Sequence, residues 1–171
     1  MASPSNQQCS RARRPCHIPR GGHYLWLPIC LFASTHITVL PDTHFTVRPS
    51  RIHGRGLFAT ARIARRMKLG ELSGVLRPIR DANRDHQQRR VIKLVEVSRR
   101  WALDCTDGNH FSLLNHSCQA NCYLRIIRRR VEVYSRNPIR SGAELTVDYG
   151  ETMHPDGMGC QCGVSGCRSR I

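Results

Sequence analysis

With 171 residues the chain has room for one domain with a true hydrophobic core and little else. Its formal charge is +15, and 25 of its 27 basic residues are arginine, a fork suited to phosphate and carboxylate groups. No repeat or low-complexity tract appears, no apolar run is long enough to span a bilayer as a helix, and nine cysteines, an odd number with several in two tight clusters, do not read as a secreted disulfide framework.

Residues 1–44 begin with Arg11, Arg13 and Arg14, followed by the apolar run Tyr24 to Ala33, which Pro28 interrupts. A basic start before a short apolar segment mimics a secretion signal, but no small-x-small cleavage site follows it. A poorly ordered leader is the expectation. From Phe45 onward short strands alternate with turn signals. Phe45 to Arg48 is one strand, stopped by Pro49 and Ser50, and Leu57 to Ala59 another, after Gly54 and Gly56. Leu69 to Leu76 reads as a single strand. Residues 77–90 are highly charged and read as one exposed helix or an insert. Val91 to Val97 and Trp101 to Cys105 are strands joined near Ser98-Arg99-Arg100.

The centre of the chain is Leu113-Leu114-Asn115-His116-Ser117-Cys118-Gln119-Ala120-Asn121-Cys122. Side chains of this kind compete with the backbone for hydrogen bonds, so the run reads as a loop tied down by its two leucines. Beyond it, Tyr123 to Ile127 and Val131 to Tyr134 form a hairpin about Arg128-Arg129-Arg130, and Ala143 to Asp148 is the last strand. Near the C-terminus Cys160, Cys162 and Cys167 place three thiolates within eight residues, with Gly163 and Gly166 allowing a tight wrap. Three clustered thiolates point to structural zinc, whose tetrahedron needs a fourth ligand. Cys118 and Cys122 both offer one, and a thiolate-bound metal suits an intracellular, reducing compartment.

Taken together, the Asn-His-Ser-Cys turn, the strand Glu144-Leu145-Thr146-Val147-Asp148-Tyr149 and the closing Cys-x-Cys-x4-Cys resemble a SET-domain protein lysine methyltransferase with a post-SET zinc motif. Ser50-Arg51-Ile52-His53-Gly54-Arg55-Gly56-Leu57-Phe58-Ala59 resembles that family's opening glycine motif. The resemblance implies a mostly β fold of small stacked sheets with a C-terminal pseudoknot. It divides the chain into a leader (1–44), a SET domain (45–150) and a post-SET zinc segment (151–171). By the same resemblance, Gly54, Arg55, Gly56, Asn115 and His116 contact S-adenosylmethionine, and Tyr149 contacts it and is catalytic. The resemblance further implies Zn2+ held by Cys118, Cys160, Cys162 and Cys167.

Three positions depart from the family pattern. Ser112-Leu113-Leu114 replaces an aromatic-rich approach to the asparagine. Leu72 stands where many members have tyrosine, and Val147 where Phe or Tyr often helps to set the number of methyls added. The implied partner is a basic protein presenting a lysine to a monomeric enzyme, with no membrane involved. The enzyme would be cytoplasmic in a bacterium, nuclear or chromatin-bound in a eukaryote. Residues 1–50 hold five Arg against Asp42 alone, a net +4, which leaves +11 on the remainder. An indirect nucleic-acid contact is therefore also expected, with the Arg99-Arg100 and Arg128-Arg129-Arg130 turns as its reach. Two other classes remain open on sequence: a SET fold that binds without catalysis, and an arginine-rich zinc protein that binds nucleic acid without a cofactor.

Overall fold

The computed structural model of the chain describes residues 39–86, 93–150 and 157–171. The expected leader up to residue 38 lies outside the described residues, as do the end of the charged insert and the start of the C-terminal segment. The described strands are β1 (Phe45–Pro49), β2 (Arg55–Ala59), β3 (Lys68–Leu72), β4 (Val75–Pro78), β5 (Leu94–Ser98), β6 (Trp101–Asp104), β7 (Asn115–His116), β8 (Cys122–Ile127), β9 (Arg130–Ser135) and β10 (Glu144–Val147). One short helix, α1 (Ile79–His86), follows β4. The fold is mostly β, as expected.

The strands form three small sheets, ordered β1-β2-β10-β7, β3-β9-β8 and β4-β6-β5. Alternation in the sequence becomes burial in the sheets: Leu57, Val131, Val133 and Leu145 are wholly inaccessible. Leu57, Leu145, Val147 and Leu114 share one core with Phe111 and Ile63. A smaller cluster of Val97, Leu103, Cys105 and Val131 joins the β5–β6 hairpin to β9.

Two expectations need correction. Leu69 to Leu76 is not one strand: β3 and β4 belong to different sheets, separated at Ser73-Gly74. The chain passes so close to β6 there that a Cβ on Gly74 would lie 2.3 Å from the Asp104 carbonyl oxygen. The central run is also not wholly a loop. Asn115 and His116 pair in parallel with Thr146 and Val147, so long-range pairing overrides the local turn preference. The last strand is thereby flanked by β2 on one side and β7 on the other. The Asn121 side chain straps it, donating to Glu144 O at 2.7 Å and accepting from Thr146 N–H at 2.9 Å. This is the arrangement that a threaded C-terminal segment requires.

A nearly buried ion network ties β3 to β9. Lys68 Nζ lies 2.8 Å from Glu71 Oε1 and 2.6 Å from Glu132 Oε1, and Tyr134 Oη donates to Glu132 Oε2 at 3.0 Å. Lys68 holds the Glu132 carboxyl below its ordinary 4.5. Burial alone would lower the Lys68 value, but hydrogen bonds to Glu132 and Glu71 leave it above 10.5. The depressed carboxyl stabilises the fold above the unfolded value and ceases to do so as pH falls through the folded one. The raised amine does the same below 10.5 and loses its contribution only in strong alkali. Glu132→Gln is therefore expected to flatten the acid limb of a melting-temperature profile below about pH 4.5. An unchanged limb would show that the network does not contribute there.

Candidate active site and thiolate cluster

Glu144, at the start of β10, is the hub that brings three distant segments together. Its Oε1 accepts from Ser50 Oγ at 2.8 Å and from Asn115 Nδ2 at 2.8 Å. The same Asn115 amide lies 3.1 Å from His53 O and 3.2 Å from Arg55 O, so the glycine motif and the central motif meet here. Gly56 permits the meeting. A Cβ on it would fall 2.2 Å from Glu144 Oε1 and 3.2 Å from Asn115 Nδ2. The space a Cβ at Gly56 would need is thus filled by the Glu144 and Asn115 side chains. Gly54 has nothing near its missing Cβ, but its φ of 49° suits glycine in the turn before β2. Gly56→Ala is expected to lower stability by about 1–3 kcal/mol through overpacking, read as a drop in the urea midpoint.

His116 is 4% exposed and fully engaged. Its Nδ1 accepts the Tyr149 N–H at 3.2 Å, which assigns the ring proton to Nε2, 3.3 Å from Cys118 Sγ. The Tyr149 ring packs against the imidazole with centroids 5.4 Å apart. Tyr149 Oη donates to Leu114 O at 2.8 Å. The residue as a whole is 45% exposed, yet its hydroxyl end is turned inward. Burial there, aided by the Glu144 charge, pushes the phenol up to about 12. Tyr149 is therefore a neutral hydroxyl at neutral pH, fixed in direction, on a ring with one side open. Beside it, burial opposes ionisation of Asp148. The Gly150 N–H and the Arg168 guanidinium nevertheless hold its carboxyl below the usual range.

The C-terminal cysteines gather around Cys118. Cys118 Sγ lies 3.8 Å from Cys160 Sγ, and Cys162 Sγ 3.6 Å from Cys167 Sγ. The donor atoms of His116, Cys118, Cys160 and Cys162 all lie within 4.8 Å of one another. Gly163 and Gly166, with φ of 66° and 75°, turn the chain back so that Cys167 N–H reaches Val164 O. The Arg168 backbone N–H, then His116, bring the Cys118 thiol down to about 7, and Cys162 falls to about 6 through backbone N–H groups. Burial, with neighbouring sulfurs, pushes Cys160 up to about 12. Sulfurs this close cannot all ionise unless a cation lies between them. Cys122, the other candidate from sequence, is fully buried at the start of β8, and burial pushes its thiol up to about 12. It points into the core, away from this chemistry.

Among the other expected positions, Val147 is buried in the main core and Leu72 packs between the two clusters. Residues that the motif reading passed over are Glu144, Ser50, Asn121 and Arg168. Glu144 opened the Glu-Leu-Thr strand in plain view, but only pairing across the sheet reveals its partners. A shallow depression of about 230 Å³ beside the cluster is lined by Cys118, Gln119, Ala120, Arg136, Asn137 and Asp148. It borders the thiolate side and does not include Tyr149.

Residues 54–150 match the model of the SET domain family. The chain is 36% identical over 132 residues to the histone-lysine N-methyltransferase set-2 of Caenorhabditis elegans, covering 71% of this chain and 9% of that protein. It is 34% identical over 135 residues to the H3 lysine-4 specific histone-lysine N-methyltransferase of Schizosaccharomyces pombe, covering 72% and 14%. Against the human histone-lysine N-methyltransferase SETD1A it is 31% identical over 134 residues, covering 71% and 8%. The chain thus spans a small fraction of the length of the relatives it matches.

Proposed function

From the premise that the chain belongs to the SET-domain family, we propose that it transfers a methyl group from S-adenosylmethionine to the side-chain amine of a protein lysine, on a histone or another basic protein. The observation that carries this reading is Tyr149: a neutral hydroxyl held 2.8 Å from Leu114 O, beside the buried Asn115-His116 pair. When bound, S-adenosylmethionine supplies an electrophilic methyl on a positively charged sulfonium. The residues present suit such a group. The Asn115 side-chain oxygen takes no hydrogen bond from the described residues, which leaves an acceptor for an ammonium. Asn115 and His116, the backbone of Gly54-Arg55-Gly56, and the open side of the Tyr149 ring would hold the cofactor.

The attacking amine must be neutral, although a free lysine has a pKa near about 10.4. A lysine seated against the open side of the Tyr149 ring with water excluded would favour its uncharged amine by desolvation. Leu114 O and Tyr149 Oη are acceptors of fixed direction for the amine hydrogens, so the site acts mainly by alignment. The uncharged phenol adds polarity there without a competing negative charge.

Zinc fits the cysteine cluster. A tetrahedron with Zn–S bonds of about 2.3 Å has edges of about 3.8 Å, and the Cys118–Cys160 and Cys162–Cys167 sulfurs lie 3.8 and 3.6 Å apart. We assign the ligands as Cys118, Cys160, Cys162 and Cys167, with His116 Nε2–H steadying the Cys118 thiolate from outside. Residues 151–171 then form the zinc segment appended to a catalytic unit of residues 45–150, acting as a monomer. Such a protein works in the nucleus on chromatin if the source is eukaryotic, or in the cytoplasm if it is bacterial. No helix among the described residues is long and apolar enough to cross a membrane.

The test is incubation with labelled S-adenosylmethionine and a mixed basic-protein extract, followed by mass spectrometry of modified lysines. Methylated lysines are expected. Cofactor binding without any modified lysine would point instead to a binding module.

A further inference from the structure

We propose that the tips of the β5–β6 and β8–β9 hairpins form one surface that grips the phosphate backbone of duplex DNA. The β8–β9 turn consists of two residues, Arg128 and Arg129, with Ile127 opposite Arg130. Both have positive φ, 49° and 66°. A two-residue turn of this kind favours Asn-Gly, because long L side chains are strained in the left-handed region. Here two exposed arginines occupy it instead, so the turn keeps charge at the expense of its own comfort.

The second tip is locked to the first. Arg129 lies over the Trp101 ring at 5.2 Å, and Val131, just past the turn, packs in one cluster with Val97, Leu103 and Trp101. The exposed Arg99 and Arg100 immediately before Trp101 thus belong to the tip that Arg129 contacts. Among the described residues no carboxylate pairs with Arg99, Arg100, Arg128 or Arg129, whereas Arg130 lies 3.9 Å from Glu71. Four guanidinium groups on two mutually braced turns are therefore available to phosphates, with geometry set by the fold.

The chemistry favours a duplex over single strands or a lipid surface. Single-stranded nucleic acid is held largely by aromatic stacking, and the one aromatic ring at these tips already has Arg129 on its face. The turn residues themselves are all arginine, and Ile126 is the one largely exposed apolar side chain beside them among the described residues, too little to anchor in a bilayer. If the substrate is a DNA-bound basic protein, the polyanion would bridge two cationic proteins that otherwise repel each other. That consequence rests on the histone reading; the DNA contact itself does not.

The experiment is fluorescence anisotropy of a labelled short DNA duplex of arbitrary sequence, titrated with the full zinc-loaded chain over a salt series, without S-adenosylmethionine. R128N/R129G supplies the turn with its favoured residues and is expected to melt no lower than the parent. It should bind on the order of 10- to 100-fold more weakly at low salt, with a salt slope smaller by roughly 1.8 for two lost phosphate contacts. R62A/R140A removes two exposed arginines from a different surface and is expected to bind within about twofold of the parent. An unchanged slope in R128N/R129G would overturn the proposal. So would an equal loss in R62A/R140A, or tighter binding of an RNA duplex or of phosphatidylserine vesicles. None of these readouts uses methyl transfer, so failure here and failure of the enzymatic reading are distinct.

Discussion

Tyr149→Phe is expected to keep S-adenosylmethionine binding and to lose methyl transfer by on the order of 100-fold or more, the usual effect of deleting one oriented polar group at a reacting centre. The substitution leaves the ring packed on His116 and removes only the hydroxyl that donates to Leu114 O. The Leu114 carbonyl loses its donor, so a stability cost of about 1 kcal/mol is expected besides. The two effects separate cleanly. Calorimetry with S-adenosylmethionine reads the binding, and single-turnover labelling of a lysine substrate reads the chemistry. An undiminished single-turnover rate would remove Tyr149 from the mechanism, whatever the melting temperature did.

Zinc removal is the second large effect. Structural zinc stabilises small zinc-finger peptides by on the order of 10 kcal/mol, and here one of its four assigned ligands lies in the middle of the chain. A strong chelator, or Cys162→Ser, is expected to expose residues 157–171 to proteolysis. Because His116 Nε2 sits 3.3 Å from Cys118 Sγ, hydrogen exchange should rise at Asn115–Cys118 in the same step. The Arg168–Asp148 contact, which joins the tail to the strand end before Tyr149, should be lost with it. Metal analysis of the reduced, purified protein should find one zinc per chain. A metal-free protein, or full zinc retention in Cys118→Ser, would refute the assignment.

Much of this was legible in the residues. β1, β2, β8, β9 and β10 follow from alternation and turn chemistry, and the hairpin turn falls within Arg128-Arg129-Arg130, although Arg130 pairs with Ile127 and leaves a turn of two residues. The glycine, asparagine-histidine and tyrosine motifs announce the family. What sequence could not show depends on pairing between distant segments. Nothing local reveals that Asn115-His116 becomes a strand, because its partner is Thr146-Val147. Ser73-Gly74 divides two sheets because β6 passes against it, and that neighbour lies some thirty residues on. The choice between Cys118 and Cys122 turns on strand direction: Cys122 opens β8 on its core-facing side, while Cys118 sits before the strand begins. Glu144 is visible as an acidic strand residue, but its role comes from Ser50 and Asn115 converging on it.

The position of β10 has a consequence for how the protein is made. Ser50 and Glu144, which hydrogen-bond directly, stand 94 positions apart, and β10 fills the gap between β2 and β7. On the ribosome the β8–β9 hairpin has both its strands before β10 exists. The first sheet must wait, with β2 and β7 as open edges, until Val147 has emerged. Leu57 meanwhile lacks Leu145 opposite it. Such edges invite pairing with other chains, so the nascent protein is most prone to aggregate just before its synthesis passes this strand. Completion of the sheet and assembly of the Glu144–Asn115 and Tyr149–Leu114 contacts are then one late event, because Glu144 and Tyr149 arrive on the same segment.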